Sequence, residues 1–202
     1  MNKCIILCAG GFDGLLEKPT KNDYIIAADG GYRHAQSLGI TPDCILGDFD
    51  SLGFVPEGAN VFPVEKDDTD AMLAVRHGLR LGYEEFEIYG GMEGDRVDHT
   101  IANLQTLFYL EEHGALGWLI GKKQIATVIK NDRLFLPADT DGTVSVFAIG
   151  GDAKGVTIKG LFYEAENITL SPAFPLGVSN HGIGKAAEIT VTDGTLLIIY
   201  DR

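Results

Sequence analysis

The sequence predicts an α/β domain built on an open parallel sheet over residues 1–121, followed by an all-β domain, a β-sandwich or small barrel, over residues 122–202. Three observations carry this. Up to Gly121, short apolar runs bounded by glycine alternate with stretches of helical period, as repeated βα units do. Those runs are continuous rather than alternating, as strands covered on both faces require. Beyond Gly121 the helical period vanishes, and strand-length segments separated by glycine and Asn/Asp turns replace it.

The elements follow in order. Residues 4–9 form a buried first strand ended by Gly10-Gly11, and residues 24–28 a second, ended by Asp29-Gly30-Gly31. A short helix over 32–38 stops at Gly39. A strand over 44–46 comes next, then a weaker one over 61–64 that Pro63 confines to an edge. Lys66-Asp67-Asp68-Thr69-Asp70 opens a helix whose apolar stripe is Met72, Val75 and Leu79. A strand over 86–89 leads into the glycine-rich stretch 90–99, a helix over 100–113 bearing Ile101, Leu104, Leu107 and Phe108, and a strand over 118–120. In the second domain, strands 125–130 and 133–136 flank Asn131-Asp132, and strands 187–191 and 196–200 flank Thr192-Asp193-Gly194-Thr195; both pairs read as hairpins. Further strands are expected over 143–149, 156–159 and 161–163.

Composition excludes several classes of function. The formal net charge is −13, which disfavours a nucleic-acid backbone as partner. No apolar run approaches the ~20 residues of a membrane helix, and the opening apolar run is shorter than the ~7–15 residues of an export signal. Three cysteines, Cys4, Cys8 and Cys44, lack zinc-type spacing and are odd in number, so a reducing cytoplasm is expected.

The chemistry gathers around Gly47-Asp48-Phe49-Asp50-Ser51. Two carboxylates one residue apart share a side of an extended segment and repel unless a cation lies between them. Asp29, Asp70 and Asp98 recur where strands end or loops enter helices, and ligands of open parallel sheets bind beyond those strand ends. Together the five acids suggest a Mg²⁺–polyphosphate site, because Mg²⁺ takes few carboxylates and completes its shell with water and phosphate oxygens. Lys66 and Arg96 are the nearest basic residues, and a guanidinium matches phosphate geometry. Gly30-Gly31 and Gly90-Gly91 would let backbone amides approach a phosphate. Plainer roles compete: Asp68, Thr69 or Asp70 as a helix N-cap, Asp98 as another, and His99 as a packing residue at a helix start.

Taken together, Asp29-Gly30-Gly31, Gly47-Asp48-Phe49-Asp50-Ser51, Lys66-Asp67-Asp68-Thr69-Asp70 and Gly94-Asp95-Arg96-Val97-Asp98-His99 with Ala102-Asn103 resemble the thiamine pyrophosphokinase (thiamine diphosphokinase) family. Gly160-Leu161-Phe162-Tyr163 and Gly177-Val178-Ser179-Asn180 resemble that family's thiamine-binding β-domain. The resemblance runs in the family's order over the whole chain. It implies a Rossmann-like catalytic, nucleotide-binding first domain and a thiamine-binding second domain. The implied reaction is ATP plus thiamine giving thiamine diphosphate and AMP, with Mg²⁺ and a homodimer whose active site lies at the interface. It further implies that Asp48, Asp50, Asp70 and Asp98 hold metal and phosphates or orient the thiamine hydroxyl, and that Asp29 lies at the same site. Arg96 would contact phosphate, Lys66, Thr69, His99 and Asn103 would belong to the nucleotide site, and Ser179 and Asn180 would approach the pyrimidine.

Two other readings remain open on the residues. The Asp48 stretch superficially resembles the nucleophile motif of Mg²⁺-dependent phosphatases, although there it follows the first strand and here at least two precede it. A non-enzymatic nucleotide or metabolite sensor with a β ligand domain is the other, and the density of acids argues against it.

Overall fold

The computed structural model describes residues 2–49, 52–59, 68–94 and 96–202. The expected edge strand over 61–64, and with it Lys66 and Asp50, lie outside the described residues. The chain divides into two compact units, residues 1–122 and 123–202.

The first unit runs β1 (Cys4–Leu7), β2 (Tyr24–Ala28), α1 (Gly31–Ser37), β3 (Cys44–Leu46), α2 (Asp70–Arg80), β4 (Glu85–Tyr89), α3 (Val97–Glu112) and β5 (Leu116–Ile120). Its strands lie in the order β5-β4-β1-β2-β3, every neighbouring pair parallel. This is the open α/β sheet that the continuous apolar runs predict. All four residues of β1 are buried, which places it at the centre with cover on both faces. The chain leaves β1 toward β2 and β3 on one side, then returns to build β4 and β5 on the other. The order in which strands are added therefore reverses between β1 and β4, and the crevice beyond the carboxyl ends of those two strands is where such folds hold ligands.

Two helices differ from expectation in the face they bury. On α2 the buried residues are Ala71, Ala74, Val75 and Gly78; of the expected stripe Val75 is buried, while Met72 and Leu79 are half-buried. Close approach selects small residues: a Cβ on Gly78 would lie 2.5 Å from the Phe86 ring and 2.8 Å from Cys4 Sγ. Helix α3 begins at Val97, three residues before the expected start, and buries Thr106, Leu107 and Leu110 while Ile101 is exposed. Thr69 is the N-cap of α2, its hydroxyl accepting the Met72 N–H at 3.2 Å. Thr69→Ala should lower stability by about 1 kcal/mol, read as a shifted urea midpoint with an unchanged slope.

The second unit holds β6 (Gln124–Lys130), β7 (Arg133–Leu136), β8 (Thr143–Ala148), β9 (Ala153–Lys159), β10 (Ala165–Leu170), β11 (Asn180–His181), β12 (Ala187–Thr190) and β13 (Thr195–Asp201). One run of antiparallel neighbours is β11-β8-β13-β6, the other β10-β9-β12-β7. Val144, Val146, Leu196 and Ile198 of the first meet Leu136, Val156, Ile158 and Ile189 of the second in one core, so the unit is a β-sandwich.

Neither expected hairpin forms. β6 pairs with β13, whereas β7 pairs with β12 across the sandwich. Each turn instead carries the chain from one sheet to the other. The two turns satisfy each other: Gly194 N–H donates to Asn131 Oδ1 at 2.9 Å, Asn131 N–H to Gly194 O at 3.2 Å, and Val191 N–H to Asp132 O at 3.0 Å. Residues 161–163 are not a strand either. Only Leu161 makes a bridge, to Gly182, while Phe162 and Tyr163 turn outward. The strands at Ala165–Leu170 and Asn180–His181 carry no clear period in the sequence.

Candidate functional site

A cavity of about 510 Å³ opens at the switch point of the parallel sheet. Cys8, Ala9 and Gly10, which follow β1, form one wall, and Gly90, Glu93 and Gly94, which follow β4, another. Asp29 and Asp48, from the ends of β2 and β3, line it with Asp68, Thr69 and Asp70 at the start of α2 and Arg96 and His99 at the start of α3. Three separate βα junctions, β2–α1, β3–α2 and β4–α3, thus bring their polar residues to one rim. A larger cavity of about 680 Å³ lies at the opposite strand ends, against Tyr83, Glu85 and Leu116, and collects no comparable set of acids.

Local backbone chemistry aims these side chains. Asp29 is buried, has φ 46°, and donates its N–H to Leu46 O at 2.7 Å, which ties the end of β2 to the end of β3. Gly47, at φ 142°, lets the chain pass there, since a Cβ would lie 3.0 Å from Asp29 Cα. The extended geometry expected across Asp48-Phe49-Asp50 is interrupted: Phe49 has φ 58° and is buried beside Ala27, Ile45 and Leu52. Packing of that ring decides the turn, while Asp48 stays exposed. The Gly30-Gly31 pair also has a packing cause, because a Cβ on Gly31 would lie 1.8 Å from the carbonyl oxygen of Leu7.

Electrostatics marks Asp70. Burial, then the charges of Asp29 and Asp48, push its carboxyl up to about 6. The Cys8 thiol is pushed up to about 12 by burial and by Asp70, so it is a protonated, unreactive wall of the site. Arg96 donates to Asp98 at 2.6 Å, and this guanidinium holds the Asp98 carboxyl below its usual range. Asp98 is exposed and does not line the cavity, although its partner does. Asp68 pairs with Arg76 of α2.

Other predicted residues take anchoring positions. Asn103 Nδ2 donates to Gly91 O at 2.8 Å and Thr100 Oγ1 to Met92 O at 3.2 Å, so α3 pins the glycine-rich loop from below. Gly30 is the buried residue preceding α1. In the second unit Asn180 is buried, and its amide brackets Tyr163: Oδ1 accepts the Tyr163 N–H at 2.9 Å and Nδ2 donates to Tyr163 O at 2.7 Å. Phe162 stacks on His181 with ring centroids 4.7 Å apart, and Tyr163 meets Phe162 edge-on at 4.8 Å. Both Phe162 and Tyr163 are more than half exposed. Ser179 is exposed at φ 61° with its N–H donating to Ser145 Oγ at 3.1 Å. Glu93, absent from the sequence-based set, is drawn in by the loop geometry; the signal available was the glycines at 10, 11 and 121 that face it.

Among the described residues no three His, Cys, Asp or Glu side chains form a ready-made metal cage. The donor chemistry nevertheless fits a hard divalent cation. Carboxylates of Asp29 and Asp48 lie close enough to Asp70 to raise its proton affinity, and a cation among them would remove that repulsion.

An acidic cleft at the switch point of a parallel α/β unit, followed in the chain by a β-sandwich with an exposed aromatic cluster, defines a two-unit ligand-binding protein of the α/β class. Comparison narrows it. The model of the thiamin pyrophosphokinase catalytic domain matches residues 16–116, and that of the thiamin pyrophosphokinase vitamin B1 binding domain matches residues 132–196. The chain belongs to the thiamin pyrophosphokinase family, and with it to the enzymes; the phosphatase and sensor readings are not favoured. No curated protein matches the sequence. Solved structures agree on the fold: thiamine pyrophosphokinase from Bacillus subtilis has a TM-score of 0.87 at 24% identity, covering 99% of each chain. A thiamin pyrophosphokinase family protein from Enterococcus faecalis reaches 0.82 at 24% identity, over 100% of this chain and 99% of that one. Thiamin pyrophosphokinase from Candida albicans reaches 0.78 at 15% identity, over 100% and 89%. Among the described residues no helix is long and apolar enough to cross a membrane.

Proposed function

We propose that this chain transfers the pyrophosphoryl group of ATP to the hydroxyl of thiamine at the acidic cleft of its first unit. The hydroxyl oxygen attacks the β-phosphorus, the bond from that phosphorus to the oxygen bridging it to the α-phosphorus breaks, and AMP leaves with that oxygen. The hydroxyl proton goes to a carboxylate. The observation that carries the reading is convergence: Asp29, Asp48, Asp70 and Arg96 come from three different βα junctions and line one cavity within the matched catalytic segment.

Asp48 and Asp70, with Asp29 behind them, are the residues that would hold Mg²⁺, and Asp50 and Asp98 complete the acidic set assigned by family resemblance. Mg²⁺ supplies charge neutralisation of the triphosphate. Asp70, whose proton affinity is raised, is suited to receive the hydroxyl proton. Arg96 exchanges its Asp98 partner for a phosphate, a contact worth more inside a closed site than on the surface. Lys66 and Thr69 are assigned to the nucleotide site by family resemblance, and Thr69 and His99 line the cleft with Arg96. Asn103 acts through the loop it pins rather than by touching substrate. In the second unit the exposed Phe162 and Tyr163 rings offer thiamine a stacking surface, held by Asn180, with Ser179 beside it. The protein works as a cytoplasmic homodimer with the active site at the subunit interface.

Incubation with ATP, MgCl₂ and thiamine should yield AMP and thiamine diphosphate in equal amounts, and nothing after chelation by EDTA. Release of ADP or inorganic phosphate in place of AMP refutes the reading. Sedimentation velocity should give twice the chain mass of 21.7 kDa.

A further inference from the structure

Glu93 lies beside the switch point, on the loop that follows β4, and the fold is shaped to admit it. A Cβ on Gly121 would lie 2.5 Å from its Oε1, one on Gly10 would lie 2.6 Å from its carbonyl oxygen, and one on Gly11 would lie 3.0 Å from its Cβ. Three glycines from two segments therefore leave the space it occupies. Its carbonyl accepts the Gly11 N–H at 3.4 Å, and Oε1 accepts the Lys122 backbone N–H at 2.5 Å. Oε2 is buried and has no hydrogen-bond partner among the described residues. A buried carboxylate oxygen without a donor is costly, and such a group in a native structure calls for a reason, a bound partner among them. The exposed Lys122 runs past the same place: its Cε lies 3.0 Å from the point a Gly11 Cβ would occupy, and Oε2 lies 3.6 Å from that point.

Glu93 lines the same cavity as Asp48 and Asp70. A second anionic group at Oε2 would be repelled, so the triphosphate does not end there. The uncharged half of the nucleotide carries the donors that Oε2 lacks. We propose that Glu93 reads the nucleoside: Oε2 accepts a hydrogen bond from a nucleoside donor, either a ribose hydroxyl or the exocyclic amine of the base. The inference rests on the assignment of this cleft to ATP.

The test is kcat/KM of the full chain for ATP, 2′-deoxy-ATP, 3′-deoxy-ATP and ITP, in wild type and Glu93→Gln. Glutamine is isosteric, and the Lys122 N–H holds its carbonyl oxygen at the Oε1 position, so an amide donor replaces Oε2. Wild type should disfavour the analogue that lacks the read donor by about ten- to hundredfold, expressed in KM. The deoxy analogues mark a ribose hydroxyl and ITP marks the amine. Glu93→Gln should lose about the same factor with ATP and stop discriminating. Equal use of all four nucleotides by wild type overturns the proposal without any variant. So does an equal fall in kcat for all four in Glu93→Gln, the result expected if Glu93 held metal or merely supported the loop. If Asp48→Asn retains full turnover, the assignment of the cleft itself fails; if it is inactive while the nucleotide preferences ignore Glu93, only this inference fails.

Discussion

Asp70→Asn should lower kcat by about 10²–10³-fold while raising the thermal midpoint of the metal-free protein. The first effect follows from the site: Asp70 lines the cleft with Asp29 and Asp48, and removing one preorganised charge at the reacting group costs about that factor. The second follows from linkage. The folded carboxyl titrates near 6, raised from 3.8 by burial and then by Asp29 and Asp48. Between those values the unfolded chain has lost this proton while the native state keeps it, so the contribution of Asp70 to stability falls as pH rises and is fully unfavourable above about 6. Asparagine carries no such penalty. The midpoints of variant and wild type should therefore coincide near pH 4 and separate by pH 7, and Mg²⁺ with ATP should restore wild type but not the variant. Differential scanning calorimetry at the two pH values checks this, and a variant less stable at pH 7 than at pH 4 relative to wild type refutes it. Partial exposure of Asp70 lets solvent screen the effect, so the separation should be small beside the loss of turnover. A gain in stability accompanied by a loss of function identifies a group retained for chemistry.

Gly31→Ala should destabilise the protein by more than about 3 kcal/mol, the severe end of single substitutions. The added methyl carbon would lie 1.8 Å from the Leu7 carbonyl oxygen and 2.4 Å from its carbon. Both are backbone atoms of β1, the strand with parallel neighbours on both sides, and neither can rotate away. Relief would require α1 to lift from the sheet and carry the Asp29 turn with it, since Tyr32 N–H donates to Asp29 O at 3.1 Å. Gly151→Ala is the control: no atom lies within 4 Å of its added carbon, and the change should stay within about 0.5 kcal/mol. Urea unfolding of both variants decides, and equal midpoints would show that α1 is not held against β1 by this contact.

Much of the architecture was legible before any coordinates. Continuous apolar runs at residues 4–9 and 24–28 announce strands covered on both faces, and loss of helical period after Gly121 announces the change to β-structure. The acids of the site were legible for the same reason: Asp29, Asp48 and Asp70 stand where apolar runs end or helices begin, and in a parallel sheet those positions share one edge. Turn composition was a poorer guide. Asn131-Asp132 and Asp193-Gly194 have hairpin chemistry, yet their flanking strands belong to opposite sheets, because a local turn records the backbone angle and not which partner the next strand meets. Glu93 escaped notice because its significance lies in three glycines distant along the chain; Asn180 was named through the family resemblance, but its amide's hold on the Tyr163 backbone shows only in the fold.

By itself the sequence determined the two-part architecture, the placing of Asp29, Asp48 and Asp70 at strand ends and helix starts, and the family, since each depends on period, residue type and order along the chain. Only the tertiary structure decided how those residues are used: that Phe49 turns at positive φ to bury its ring, that Gly31 is glycine for the sake of Leu7, and that Glu93 holds one carboxylate oxygen buried with no donor among the described residues. These outcomes depend on excluded volume and on which polar atoms meet across distant segments. Such distances do not exist until the chain has folded.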